Sequence, residues 1–280
     1  MKRVRWLIIP GLLIAVVLIV YQSVFSLPKQ AQLTSYNSDS ELLSLRCYES
    51  KTAAQLDKQQ RINLLVWNIY KQNRTNWSSS LSQYSQDKQL VLLQEASMTA
   101  ELREWLKEGA WFGSQVDAFK AFETTAGVLN LSAGSPIKAC AYTELEPWLR
   151  LPKSALYALY PLSNGEQLAV VNIHAVNFTY GTLEYHRQLK VLVEELSEHQ
   201  GPVIIAGDFN SWSKERLRVM SDALSSLGLK EVTYDSDNRT QFITGLPLDH
   251  VFYRGLTLEK AEAPVSDASD HNPILVTFRL

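Results

Sequence analysis

Six places along this chain set polar, reactive residues directly against apolar runs. Asn68 follows Leu64-Leu65-Val66-Trp67, Glu95 follows Leu90-Val91-Leu92-Leu93-Gln94, and His174 follows Val170-Val171-Asn172-Ile173, with Asn177 just beyond. Asp208 and Asn210 close the run from Val203 to Gly207, Asp249 and His250 open Val251-Phe252-Tyr253, and Asp270 and His271 precede Ile274-Leu275-Val276. A single Asp after a strand is usually a turn or cap residue. Carboxylates, carboxamides and imidazoles repeated at strand ends throughout one region point instead to a shared polar centre. Phosphoester hydrolysis calls for such a set, because its uncatalysed rate demands roughly 20 kcal/mol of transition-state stabilisation. A hard divalent cation on carboxylate oxygens neutralises the developing charge, and Mg²⁺ (with Mn²⁺ as a substitute) suits such oxygens. Glu95 is the expected ligand, since a carboxylate beside a buried strand has little reason to be there unpaired. Asn68 offers a carboxamide oxygen without adding charge. Asp208 could orient or deprotonate the attacking water, and Asn210 could hold that water or a phosphate oxygen. His271 is a phosphate donor if protonated and a base if neutral, with Asp270 beside it to tune which. His174 is a candidate acid for the leaving oxygen. The sequence has no Cys/His zinc spacing, glycine-rich phosphate loop or Gly-x-Ser-x-Gly elbow.

The elements that must position these residues alternate between strand and helix from Arg61 onward. Strands are predicted over 62–67, 90–94, 127–131, 137–142, 155–160, 168–173, 248–253 and 274–279, with another beginning at Val203. Helices are predicted over 78–86, over 99–108 with Thr99 as cap, over 182–199, and over 213–227 with Ser211 or Ser213 as cap. Asn164-Gly165 marks a hairpin. Many strands with few helices between them predict two packed sheets with helices outside.

The net charge of −2 falls to −5 once Lys2, Arg3 and Arg5 are set aside, so composition gives no general affinity for polyanions. Cys47 and Cys140 match no metal-ligand spacing and are read equally as one disulfide or two thiols. Trp6 to Tyr21 carries no charge, and the uncharged run extends to Leu27. Basic residues before such a run predict a single-pass anchor through residues 6–25 of a bacterial inner membrane, with the remaining chain periplasmic. A cleaved signal peptide is the rival, and a cytoplasmic enzyme the alternative location. The expected domains are an anchor over 1–27, a linker over 28–60 with one short helix near 40–45, and a catalytic domain over 61–280.

Taken in order, Leu65-Val66-Trp67-Asn68, Leu93-Gln94-Glu95, Asn172-Ile173-His174, Gly207-Asp208-Phe209-Asn210, Leu248-Asp249-His250-Val251 and Ser269-Asp270-His271-Asn272-Pro273 resemble the motifs of the endonuclease/exonuclease/phosphatase superfamily. Val66 to Gln72 and Val171 to Phe178 resemble its YafD-like bacterial branch. The resemblance covers 61–280 and implies a four-layer α/β/β/α sandwich of the deoxyribonuclease I kind with a Mg²⁺-dependent site at one edge. It implies Glu95 as metal ligand with Asn68 and Asp270 close to the metal, and Asp208 and Asn210 positioning water and phosphate. It further implies that Asp249 orients a histidine, that His271 contacts the scissile phosphate, and that His174 stands near the leaving group.

The substrate is less legible. Lys71 and Arg74, in a polar loop after Asn68, are read equally as phosphate contacts or as a solvated loop, and Asn177 is taken as a further substrate contact. Phe178, Tyr180 and Trp212 could stack on a base or touch lipid, although aromatics beside strands are more often core. Lys153 is read as a surface residue preceding a strand. The expectation is a monomeric phosphodiesterase or nuclease-type hydrolase acting on nucleic acid. The alternatives are a sphingomyelinase-like phospholipid headgroup hydrolase and a catalytically silent module that binds a phosphorylated ligand.

Overall fold

A computed structural model describes residues 16, 19–37, 40–122 and 124–280. The runs that alternate in facing form two stacked sheets. One has at its centre the parallel pair Arg61–Asn68 and Leu90–Ser97, flanked by Ile274–Arg279 and Thr124–Ser132. The other centres on the parallel pair Gln167–His174 and Val203–Asp208, flanked by Pro152–Pro161 and Asp249–Arg254. Successive side chains on a strand point to opposite faces. Leu64 and Val66 therefore enter the core between the sheets with Leu90, Leu92, Val170 and Ile204, while Leu65 and Trp67 face outward. The outer face of the first sheet is covered by helices Trp77–Ser85 and Ala100–Glu108, that of the second by Leu183–Ser197 and Lys214–Ser225. The expected four-layer sandwich is what forms. Thr99 and Ser213 accept from the backbone N–H of Leu102 and Arg216, as their cap positions require.

Three expectations are corrected. The stretch read as a linker supplies the strands Gln32–Tyr36, Glu41–Leu45 and Cys47–Glu49, the first paired to Phe112–Val116 and the last to Lys138–Leu145. These strands are short, and the first and last are held by partners distant in the chain, which local composition does not reveal. The short helix expected near 40–45 is likewise strand. The single-pass inner-membrane placement is also overturned: among the described residues no helix is long and apolar enough to cross a membrane. Most of the expected anchor, residues 1–15, 17 and 18, lies outside the described residues. Its C-terminal end belongs to the folded domain. There Phe25–Ser26 pairs with Phe119–Ala121, and the Tyr21 hydroxyl donates to the Leu149 carbonyl at 3.1 Å.

Cys47 and Cys140 sit directly opposite each other on paired strands and are joined by a disulfide.

Candidate active site

The fold turns six scattered motifs into one edge. Each sheet holds a parallel strand pair joined through a helix, so Asn68 and Glu95, and likewise His174 and Asp208, emerge at the same end. The antiparallel neighbours begin where those strands finish: Asp249 is registered opposite Asp208, and Ile274, three residues after His271, opposite Val66. Gly207 makes the second sheet's ending possible, because a Cβ there would lie 2.0 Å from the Ile173 carbonyl oxygen at a φ of +139°. In the first sheet the pairing register shifts between Leu93 and Ala96, and Glu95 takes a φ of +51°. Such a bulge re-aims a side chain that a regular strand would have pointed elsewhere.

The buried floor of the site is acidic and imidazole-rich. The His271 Nδ1 and Asp249 Oδ2 atoms are 2.7 Å apart, and His271 Nε2 lies 3.9 Å from Asp208 Oδ2. Asn68 Nδ2 donates to that same Asp208 oxygen at 3.0 Å, while its Oδ1 accepts from Tyr70 N. Burial disfavours the His271 cation, but Asp249, with Asp208 and Asp270, outweighs it and pushes the imidazole up to about 10. Burial likewise raises Asp208 to about 6, with the His271 cation working against the rise and Asp249 adding to it. Asp208, Asp249 and His271 offer ligand atoms all within 4.8 Å of one another, a group able to hold a metal ion. One oxygen of this group, Asp249 Oδ1, is buried with no hydrogen-bond partner.

The wall facing solvent alternates charge. Lys71 pairs with Glu95 Oε2, and His174 Nε2 lies 3.8 Å from Glu95 Oε1 and 3.4 Å from Asp208 Oδ2. Burial disfavours the Glu95 anion, yet Lys71 and Lys153 together hold its carboxyl below the usual range. His174 moves the other way: burial and then the Lys153 and Lys71 cations drive it well below its ordinary value, so it is neutral. Its Nε2 accepts from Lys153 Nζ at 2.9 Å. Lys71, Glu95, Lys153 and His174 line a cleft of about 310 Å³, together with Asn177 and Phe178.

Other expected residues take different places. Asp270 is exposed and accepts from its neighbour Ser269 Oγ at 3.3 Å. Asn210, at a φ of +47°, donates its amide to the Ala175 carbonyl, and its backbone N–H donates to Asp208 Oδ1. It therefore braces Asp208. Asn177 faces the cleft, but its Oδ1 accepts from Trp212 Nε1. Arg74 is exposed and is not among the residues lining the cleft. Two residues carry more than the sequence suggested. Lys153, read as a surface residue, reaches His174 from the start of Pro152–Pro161, a strand antiparallel to Gln167–His174. Glu146, buried at the end of Lys138–Leu145, lies 4.0 Å from Lys153 Nζ and accepts from Asn177 N. A carboxylate directly after an apolar-ended strand was the available signal for Glu146. Arg216 was missed as well: buried, it stacks over Tyr185 and donates to the carbonyls of Asn210 and Val176, fastening the two loops beside Asp208.

Residues 65–271 match the model of the "Endonuclease/Exonuclease/phosphatase family". A UPF0294 protein of Vibrio cholerae is 57% identical over 280 residues, covering 100% of this chain and 99% of its own. Among solved structures, ANGEL2, described as a 2′,3′-cyclic phosphatase, superposes with a TM-score of 0.63 at 13% identity over 85% of this chain and 99% of its own. Danio rerio TDP2, complexed with a single-strand DNA product, superposes with a TM-score of 0.58 at 17% identity over 79% of this chain and 100% of its own.

Proposed function

The chain belongs to the endonuclease/exonuclease/phosphatase family, and on that premise we propose that it is a phosphodiester hydrolase that works with a bound divalent cation, Mg²⁺ or Mn²⁺ in its place. The donor set suits a hard cation: Asp208 and Asp249 stand together, His174 Nε2 lies 3.4 Å from Asp208 and 3.8 Å from Glu95, and Asp249 Oδ1 is a buried oxygen without a partner. Glu95 and the buried carboxylates would hold the ion, with Asn68 beside Asp208. The ion would supply charge neutralisation on the phosphate oxygens.

The chain's own residues divide the remaining work. His271, kept protonated by Asp249, donates to a phosphate oxygen. Asp208, raised to about 6 and held by Asn68 and Asn210, accepts from the attacking water. His174 is neutral and its Nε2 is occupied by the Lys153 ammonium, so Lys153 is the cation that meets the leaving oxygen. Lys71 balances Glu95 and adds a second positive charge at the cleft.

The Asp249–His271 pair at 2.7 Å, set against Asp208, carries this reading. A phosphate-binding module needs no oriented acid–imidazole pair, and carboxylates this close would repel a phosphate in the absence of a cation. The neighbours described as a 2′,3′-cyclic phosphatase and as complexed with a single-strand DNA product support a phosphoester substrate. Purified protein should hydrolyse bis-p-nitrophenyl phosphate with Mg²⁺ or Mn²⁺. Glu95→Ala and His271→Ala should each lose at least about 100-fold, the scale of a lost acid–base or electrostatic group. Full turnover in EDTA, or in either variant, would refute the assignment.

A further inference from the structure

The loops at the cleft mouth differ from the rest of the surface. Residues 147–151 read Pro-Trp-Leu-Arg-Leu, 175–183 read Ala-Val-Asn-Phe-Thr-Tyr-Gly-Thr-Leu, and 240–247 read Thr-Gln-Phe-Ile-Thr-Gly-Leu-Pro. In a chain that is 20% charged they hold one charge, that of Arg150. Their large apolar side chains stand in water: Ile243 is 94% exposed, Tyr180 80%, Leu183 70% and Trp148 56%. The Trp148 and Tyr180 rings meet at 4.7 Å and those of Trp212 and Phe242 at 6.0 Å. Trp148, Phe178, Trp212 and Phe242 line an apolar slot of about 230 Å³. Phe178 and Asn177 line both the slot and the catalytic cleft, so apolar slot and polar cleft share a wall. Exposed apolar surface gathered at one site marks a binding surface.

The chemistry of the rim selects among occupants. A nucleic acid strand leaving the cleft would need cations along its backbone, and these loops offer only Arg150. Reading a base edge would need free polar groups, but in the slot Asn177 Oδ1 is taken by Trp212 Nε1 and Thr179 Oγ1 by the Gly181 carbonyl. Isoleucine and leucine mixed with tryptophan and tyrosine suit hydrocarbon with a polar boundary. Building on the hydrolase reading above, we infer that the rim receives the hydrocarbon of a phospholipid while its phosphodiester enters the cleft, so that the substrate is taken from a lipid surface by loop contacts.

The native cysteines are disulfide-bonded, so a single introduced thiol can be labelled selectively. Full-length protein carrying acrylodan at Ile243→Cys, or at Lys260→Cys on the exposed strand Thr257–Ala263, is mixed with phosphatidylcholine/phosphatidylglycerol vesicles. The expected result is a blue shift at position 243 and none at 260, with vesicle hydrolysis reduced about tenfold in the Trp148→Ser/Tyr180→Ser variant, as loss of buried aromatic area requires. No shift at 243, or a larger one with a single-stranded oligonucleotide than with vesicles, would overturn the inference. Turnover of bis-p-nitrophenyl phosphate separates the two readings. Turnover without a shift at 243 defeats the lipid surface alone, whereas a shift without any turnover supports lipid contact and defeats the hydrolase.

Discussion

Lys153 shows how a single residue's meaning depends on its neighbours. In the sequence it is one lysine before an apolar strand; in the fold its ammonium donates to His174 and lies 4.0 Å from the buried Glu146 carboxylate. If Lys153 stabilises the leaving oxygen, its removal should matter most where that oxygen leaves as a strong base. Lys153→Met should therefore slow hydrolysis of an alkyl phosphodiester by about 100-fold. It should slow a p-nitrophenyl ester by much less, because that oxygen departs with little help. Lys153→Arg should recover part of the difference. Equal losses on both esters would assign Lys153 to packing alone. His174 shows the same dependence: its type suggests an acid, but burial first, and then the Lys153 and Lys71 cations, disfavour its protonated form.

At the level of elements, the N-terminal strands are held to the sandwich at its margins. Gln32–Tyr36 and Glu41–Leu45 extend one sheet, and Cys47–Glu49 ends the other. The Cys47–Cys140 bond closes a separation of 93 residues and fixes that last strand. Cross-linking over such a span restricts the unfolded chain, a contribution of about 2–4 kcal/mol. Replacing both cysteines with serine should lower the urea midpoint and steepen the slope, because the freed unfolded chain exposes more surface. A midpoint unchanged from the native protein would mean that the bond does not restrain the unfolded chain.

For the whole molecule, the buried ionisable cluster links folding to pH. His271 has a folded value near 10 against an ordinary 6.5. A group whose folded value is raised stabilises fully below its unfolded value and loses that stabilisation as pH rises through the folded one. Metal-free protein should therefore lose stability steadily from about pH 6.5 toward 10. The buried tyrosines act in the same direction only from near their ordinary value of 10 upward. Urea titrations at pH 7 and pH 9 isolate the His271 contribution. His271→Asn should flatten the change between them, and an unaltered slope would show that His271 is not held as the cation.

The sequence alone determined the sandwich and most of its elements, because burial on two faces leaves a periodic apolar record and caps and turns leave local ones. Thr99 and Asn164-Gly165 were legible for that reason, and the cap of Lys214–Ser225 was narrowed to Ser211 or Ser213, of which Ser213 is the one. It also singled out Asp208, Asp249 and His271, which are out of keeping with their apolar neighbours and which the fold gathers within 4.8 Å of one another. Only the tertiary structure decided which of those polar groups face one another, that Cys47 meets Cys140, and that residues 32–49 are strands. Register and cross-sheet distance are long-range quantities, fixed by how strands far apart in the chain pack, and no local pattern of residues encodes them.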